Sequence, residues 1–328
     1  MLLENSMQAI TLNEFGPPSN LQIEEIPDPQ CHPKGIIIKN KAISIEGGDL
    51  RARALGPIGE APYVIGYQSA GIIIEVGSEV SNFSVGDRVV AMSGNGSHAE
   101  LRSVPAKAAW YMPENISFEE AASIPVTFAT AHDCLFEFGH LDKGQTILVN
   151  GISGGLGIAI AQFAHRHKAH IIGTVSDEKK VSKLKEIGVN DIIVHTKNDV
   201  VDEVKRITNS IGVDLAIDPV GGQALEQAID ATKYRGKVIS VGNASRSDNQ
   251  IDITLLMKKN ISFNGILLAS EQSKNFTRVY DLVHNILNNI ASKNFKVYID
   301  KVFNFNEAIE AHQYAESRKA FGRVVIKI

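Results

Sequence analysis

Cysteine is nearly missing from this chain of 328 residues: only Cys31 and Cys134 occur, far apart. Two distant thiols build neither a disulfide framework nor a Cys-x-x-Cys metal knuckle, and they fit a reducing compartment. No apolar run approaches the roughly 18 residues that a membrane-spanning helix needs. Met1 to Ser6 (MLLENS) is too short and too acidic for a secretory leader. The expectation is a cytoplasmic protein with no membrane partner, and, since Met7 opens the first strand-like run, a frayed extension ahead of it. With a net charge of −4 the chain also lacks the excess positive charge that would draw nucleic acid. Its one basic cluster, His165-Arg166-His167-Lys168, has no interleaved aromatics and reads as a solvated helix end, where cations suit the dipole. Internal repeats and low-complexity tracts are absent as well.

What is present is ordinary for a soluble protein, 44% hydrophobic and 21% charged, and the length points to two domains. From Met7 to about Pro113 the runs are short and β-like: 8–12, 21–26, 35–45, 70–76, 88–92 and 98–104, separated by Pro, Gly, Asn and Asp. After Pro113 the period changes. Ser117 with Glu120 three residues later predicts a capped helix, Pro125 interrupts it, and a second helix is expected over Val126 to Phe138. Strands and helices then alternate (191–195, 198–209, 213–217, 223–232, 236–241), the signature of a doubly wound parallel sheet. A last strand is expected over Ile261 to Leu268 and a long amphipathic helix over Gln272 to Ala291, followed by a β, α, β tail that returns to the first domain.

The most legible stretch is Val149-Asn150-Gly151-Ile152-Ser153-Gly154-Gly155-Leu156-Gly157. An apolar strand (146–149) enters it, a small-residue helix leaves it, and a second strand (170–175) follows. In such a turn Gly151 permits the tight bend, Gly154 lets backbone approach a phosphate, and Gly157 lets helix and strand pack closely. The free N–H groups at the helix start meet the negative charge of a pyrophosphate.

These features together resemble the medium-chain dehydrogenase/reductase superfamily, in its zinc-free quinone oxidoreductase, zeta-crystallin-like branch. The resemblance runs nearly the whole chain, carried by Gly66 to Gly77, Val85-Gly86-Asp87-Arg88-Val89, Ile124-Pro125, Thr130-Ala131, Gly151 to Gly157, Asp218-Pro219-Val220-Gly221-Gly222 and Val238 to Gly242. It implies an α/β protein in which a GroES-like β-barrel catalytic domain is built from residues 1–124 and 269–328. A Rossmann domain, 125–268, is inserted between them, with a nicotinamide cleft where they meet. It also implies a homodimer paired through Ile261 to Leu268.

The cofactor expected is NADPH. NAD-preferring Rossmann sites place an acid at the end of the second strand; counting back from Gly188 puts that position at Val175, which neither accepts a hydrogen bond nor repels a phosphate. Ser176 and Lys180 follow closely enough to meet one, and Asp177 is placed as a helix cap. By resemblance, Lys180 matches a phosphate-binding lysine, Arg318 an arginine brought in by the tail, and His195 a position near the adenosine. The cofactor set is therefore Gly151, Ser153, Gly154, Gly155, Leu156, Gly157, Ser176, Lys180, His195, Gly242, Asn243 and Arg318, with the loops at Asp218 and Gly242 bordering the ligand as strand carboxyl ends.

Zinc relatives carry a catalytic cysteine, a His-Glu pair and a four-cysteine lobe; Glu46, Tyr67 and Gln68 stand at the corresponding places here and the lobe is missing, so no metal is expected. Without a Lewis acid the expected chemistry is hydride delivery to an already activated acceptor, a quinone or an α,β-unsaturated carbonyl. Candidate catalytic groups are Tyr63, Tyr67, Asp49 and Thr130, with Ser44 and Gln68 nearby in the pattern; a tyrosine is the natural donor of a proton to an enolate. Two alternatives stay open: an NADPH-binding crystallin-like or redox-sensing protein with little catalysis, and an enoyl-thioester reductase.

Overall fold

A computed structural model describes residues 6–56, 61–247 and 251–328. The chain begins with β1 (Ser6–Leu12), β2 (Leu21–Pro27), β3 (Gly35–Ser44), α1 (Gly47–Leu55), β4 (Tyr63–Val64), β5 (Gln68–Val76), β6 (Arg88–Met92), β7 (Leu101–Pro105) and β8 (Ala109–Tyr111). It continues through α2 (Phe118–Ala122), α3 (Pro125–His132), β9 (Thr146–Val149), α4 (Gly155–Arg166), β10 (His170–Val175), α5 (Val181–Ile187), β11 (Asp191–Val194) and α6 (Val200–Ile207). Then come β12 (Val213–Asp218), α7 (Gln223–Ala231), β13 (Thr232–Ser240), α8 (Ile253–Lys259), β14 (Ser262–Gly265) and α9 (Leu268–Lys274). The last elements are α10 (Phe276–Ala291), β15 (Ile299–Asn304), α11 (Ala308–Glu316) and β16 (Arg323–Lys327).

Two compact units result: the described residues up to Val126 with Phe276–Ile328, and Thr127–Asn275. In the first, a seven-stranded sheet runs β15-β16-β3-β5-β6-β8 with β7 on β3, and β2-β1-β4 forms a smaller sheet. Strand β3 is the spine. One edge pairs with β5 along its length, while the other takes β7 at Gly35–Lys39 and β16 at Ala42–Ser44. Nearly every β3 side chain is buried, as both faces are covered. The tail closes this unit: Phe303, Ala308, Ala311, Val324 and Ile326 share a core with Ile10, Leu12, Leu21, Ile43 and Ile65. Helix α10 buries the stripe Val279, Val283, Ile286, Leu287 and Ile290, and Tyr280 stacks on Trp110 at 5.3 Å while its carbonyl accepts from the indole N–H.

The second unit is a six-stranded, all-parallel sheet in the order β11-β10-β9-β12-β13-β14. Its core joins Leu148, Ile172, Ala216 and Val238 from the strands to Val200, Val204, Leu225 and Ile229 from helices. This is the doubly wound parallel sheet anticipated from the alternation, and with the first unit it makes the GroES-like plus Rossmann α/β architecture that the resemblance implied.

Several extents differ from expectation. Ser6 already belongs to β1, and the rest of the expected leading extension lies outside the described residues. His98 precedes β7, whose pairing with β3 begins at Leu101. The helix expected over Val126–Phe138 starts at Pro125, where the missing N–H costs nothing, and turns π-helical over Asp133–Glu137, closed by Phe138 N–H to Asp133 C=O. The last strand is only Ser262–Gly265, because its parallel register on β13 ends at Gly265↔Ser240 and Leu268 already begins α9. The long helix is broken at Asn275, whose ψ of 46 leaves the helical region. Helix α1 was not anticipated: Gly47-Gly48 is a poor helix start by propensity, and the Asp49 carboxylate rescues it by accepting the Glu46 N–H at 2.8 Å.

Candidate functional site

The glycine turn is built as its spacing predicts. Gly151 has φ 62, which only glycine adopts freely, and Gly154 caps α4 with extended backbone. A Cβ at Gly157 would stand 2.5 Å from Ile152 Cα, so α4 touches the turn backbone to backbone. A Cβ at Gly154 would meet only Gly151 O, at 3.5 Å. Geometry leaves the first-turn N–H groups of α4, at Gly155, Leu156 and Gly157, without helical acceptors, the arrangement that favours an anion.

Below the turn lies a buried network that sequence reasoning missed. Asn150 Nδ2 donates to Asp218 Oδ1 and to Ala224 O, both at 2.9 Å, and Asn150 Oδ1 accepts from Thr174 Oγ1 at 3.2 Å. Thr174 Oγ1 accepts the Gly151 N–H at 3.1 Å, and Asp218 Oδ2 accepts the Gly221 N–H at 2.7 Å. Burial raises the Asp218 pKa against the pull of these donors. The network ties the carboxyl ends of β9, β10 and β12 together; its signal in the sequence was a polar residue at or beside the end of each of three apolar strands.

The phosphate-side residues are brought together in part. Lys180 is 7% exposed and its Nζ lies 3.3 Å from Ser153 Oγ, on the glycine turn itself. Val175, buried, ends β10, and its carbonyl accepts the His195 N–H at 3.0 Å. Ser176, exposed beside it, accepts from Thr196 Oγ1 at 3.2 Å. Asp177 caps the following turn through Lys179 N–H at 2.9 Å, so its carboxylate is engaged locally. Gly242 and Asn243 follow β13 in a loop bonded to Pro219 and Val220 by Ala244 and Ser245 N–H groups. The Asn243 amide is held within that loop, donating to Ser247 O and accepting from Ser245 Oγ. Arg318 lies in the first unit, exposed, in the turn after α11, with φ 59. A glycine cradle with a buried lysine at its lip fits a dinucleotide phosphate.

The catalytic candidates separate. Thr130 is buried on α3 in the second unit. Tyr63, half-buried in β4, packs against the core shared with the tail. Tyr67 and Asp49 belong to one polar cluster. The Glu46 carboxylate, 4% exposed, has an Oε1 that accepts from Gln68 Nε2 at 2.7 Å, from Ser44 Oγ at 3.1 Å and from the Arg323 guanidinium. Burial pushes the Glu46 pKa up, with Arg323 and these donors opposing it. Asp49 is pushed up to about 8, chiefly by burial, and its Oδ1 has no hydrogen-bond partner. The Tyr67 phenol is held well above its ordinary value by burial and by the carboxylates of Asp49 and Glu46. Arg323 escaped the sequence reading; its signal was a cation opening a strand whose next three residues are apolar.

Glu46, Tyr67 and Gln68, the positions that the resemblance matches to zinc-site residues, lie in one cluster, but their donor set does not fit zinc. It offers one carboxylate, an amide and a phenol, with a guanidinium already on the carboxylate. Among the described residues no group of three or more His, Cys, Asp or Glu side chains is arranged to hold a metal ion.

Comparison with known proteins agrees with this architecture. The "Alcohol dehydrogenase GroES-like domain" profile matches residues 32–114 and the "Zinc-binding dehydrogenase" profile residues 155–285. The "Quinone oxidoreductase-like protein 2 homolog" of Nematostella vectensis is 33% identical over 270 residues, covering 81% of this chain and 74% of that protein. The chain belongs to the quinone oxidoreductase branch of the medium-chain dehydrogenase/reductase superfamily. It is an oxidoreductase of that branch. Among other members, the 2-haloacrylate reductase of a Burkholderia species is 25% identical over 332 residues, 98% of each chain. The crystal structure of Escherichia coli quinone oxidoreductase complexed with NADPH superposes with a TM-score of 0.93 at 27% identity, covering 98% of this chain and 100% of that one. Among the described residues no helix is long and apolar enough to cross a membrane.

Proposed function

We propose that the chain reduces a quinone or an α,β-unsaturated carbonyl compound, with NADPH as hydride donor. The observation that carries this reading is Lys180, a buried ammonium against Ser153 of the glycine turn, beside a strand end where Val175 stands in place of an acid. Two relatives support it by name, one crystallised with NADPH and one a reductase of a conjugated, halogenated alkene.

When bound, the reduced nicotinamide supplies a hydride to an acceptor whose conjugation already makes it electrophilic. The chain's own part is to hold phosphates with the α4 N–H groups, Ser153 and Lys180, and to provide a proton to the oxygen that gains charge. We assign that proton to the Tyr67 hydroxyl. Tyr63 and Thr130 are placed as groups that orient the acceptor, and Asp49 as the residue that holds the start of α1. Arg318 is the second cation for the ribose phosphate. The open edge of the six-stranded sheet, β14, is the surface for a homodimer, which a purely monomeric sedimentation profile at micromolar protein would defeat.

The test is NADPH and NADH binding by fluorescence, followed by quinones, enones and acyl thioesters in the same cuvette. Tight NADPH binding with quinone- or enone-dependent oxidation supports the reading. Equal affinity for NADH defeats the cofactor assignment, binding without turnover moves the function to redox sensing, and turnover of thioesters alone makes it an enoyl-thioester reductase.

A further inference from the structure

The guanidinium of Arg323 grips three consecutive residues. Its Nε and Nη2 donate to Ser44 Oγ at 3.1 and 2.7 Å, Nη2 also donates to Ile45 O at 2.7 Å, and the same group meets Glu46 Oε1. Ladder bonds reinforce the grip, for β16 pairs Val325 with Ser44 and Ile45 N–H donates to Val324 O at 3.0 Å. Residues 44–46 are the turn from β3 into α1, so a side chain more than 270 positions away in sequence sets the helix start. Gln68 extends the network, donating to Glu46 Oε1 at 2.7 Å and accepting the Val126 N–H at 3.0 Å through Oε1. Its chain neighbour Tyr67 carries the phenol, and a Cβ on Gly48 would stand 2.6 Å from that hydroxyl. Gly48 is the second residue of α1 and is exposed, while Tyr67 is half-buried, so the hydroxyl sits at the outer end of a chain of contacts that begins at Arg323.

We propose that Arg323 is a positioning residue for the reductase reaction: through Ser44, Glu46 and Gln68 it fixes the β3–α1 turn against which the Tyr67 hydroxyl is set. The inference rests on the reading of Tyr67 as proton donor. A network kept only to stabilise the unit would not need a buried carboxylate, since apolar replacements of buried ion pairs are commonly as stable. The bidentate planar fork of arginine, bonded to one serine and one carboxylate, specifies geometry as well as charge. The ionisable groups facing Tyr67 are the carboxyls of Asp49, which is neutral below about pH 8, and Glu46, at the start of α1, and the Arg323 guanidinium from β16, together with the Gly48 N–H.

The experiment compares kcat, acceptor KM, NADPH affinity and thermal midpoint for Glu46→Gln, Arg323→Lys, Gly48→Ala and Tyr67→Phe. Glu46→Gln keeps the shape and removes the charge. Gly48→Ala favours the helix while its methyl displaces the Tyr67 hydroxyl. The expected result is a fall in kcat of about tenfold or more in Glu46→Gln and Gly48→Ala, with NADPH affinity and acceptor KM within about twofold, because a displaced proton donor costs turnover and not binding. The alkaline decline of kcat also begins at lower pH in Glu46→Gln, since removing that carboxylate eases ionisation of the phenol. Arg323→Lys, which keeps charge but loses the fork, is expected to keep the midpoint while kcat falls. If Tyr67→Phe loses kcat while Glu46→Gln and Arg323→Lys keep it, positioning by Arg323 is overturned and the Tyr67 assignment stands. If Tyr67→Phe keeps kcat, the donor assignment itself fails. Failure of both Glu46→Gln and Arg323→Lys to fold also overturns the inference, leaving the pair a purely structural role.

Discussion

The Nε2 atoms of His98 and His312 lie 3.2 Å apart in the interior of the barrel unit, joining the chain just ahead of β7 to α11. A contact this short between imidazoles requires one ring to donate and the other to accept, so the two cannot both be protonated at these nitrogens, and burial favours the neutral form of each. Burial lowers the His98 pKa to about 3 and takes His312 well below its ordinary value, the neighbouring Arg102 and Arg53 adding to the respective shifts.

These histidines therefore bind protons only when the chain unfolds. Their stabilising contribution is present above the unfolded pKa of about 6.5 and is lost as pH falls from there toward about 3. The thermal midpoint is expected to drop between pH 7 and pH 5. In His312→Leu the drop is shallower, while the His98 Nε2 left without its partner costs about 1–3 kcal/mol at pH 7. A midpoint that rises on acidification contradicts the neutral pair.

Asp49 has the opposite sign. Its carboxyl is held at about 8, so between an unfolded pKa near 3.9 and pH 8 it is protonated in the folded chain and ionised in the unfolded one. Its contribution is full below about pH 4 and is lost as pH rises through 8. Asp49→Asn keeps an acceptor for the Glu46 N–H and cannot ionise, so denaturant titrations should find it more stable than wild type at pH 8 and nearly equal at pH 5. Equal destabilisation at both values would show that Asp49 is ionised in the fold.

Gly154 and Gly157 serve different ends, and alanine separates them. At Gly157 the new methyl meets Ile152 Cα at 2.5 Å and its carbonyl at 2.6 Å, so strand turn and helix must part. We expect a loss of about 1–3 kcal/mol by urea unfolding, the usual cost of overpacking. At Gly154 the methyl meets only Gly151 O at 3.5 Å, so stability is kept and any effect falls on NADPH affinity. Equal stability losses at the two positions would refute the division.

Lys180→Ala is expected to weaken NADPH binding about tenfold to a hundredfold, the equivalent of one charged hydrogen bond of about 1.5–3 kcal/mol. NADH affinity should change little if the ammonium meets the ribose phosphate, and should fall in parallel if it meets the pyrophosphate next to Ser153. Arg318→Ala separates the two, because Arg318 is proposed to meet the ribose phosphate alone. Fluorescence titration with both nucleotides decides.

Local chemistry made much of this protein legible from its residues in order. The glycine turn, the Ser117 cap and the alternating strands of the parallel sheet each follow from neighbours within a few positions, where backbone freedom, capping and burial period act. Helix α1 was not legible, because Gly47-Gly48 argues against a helix and its start depends on Glu46 and Asp49 being held in a buried polar cluster. Nor was the break at Asn275, which no periodicity marks. The partners of Glu46 and His98 come from Arg323 and His312, near the far end of the chain. No local pattern reports such pairs: they exist only because the tail strand β16 adds to β3 and α11 packs into the same core, and that long-range closure is decided by the burial of apolar surface in three dimensions.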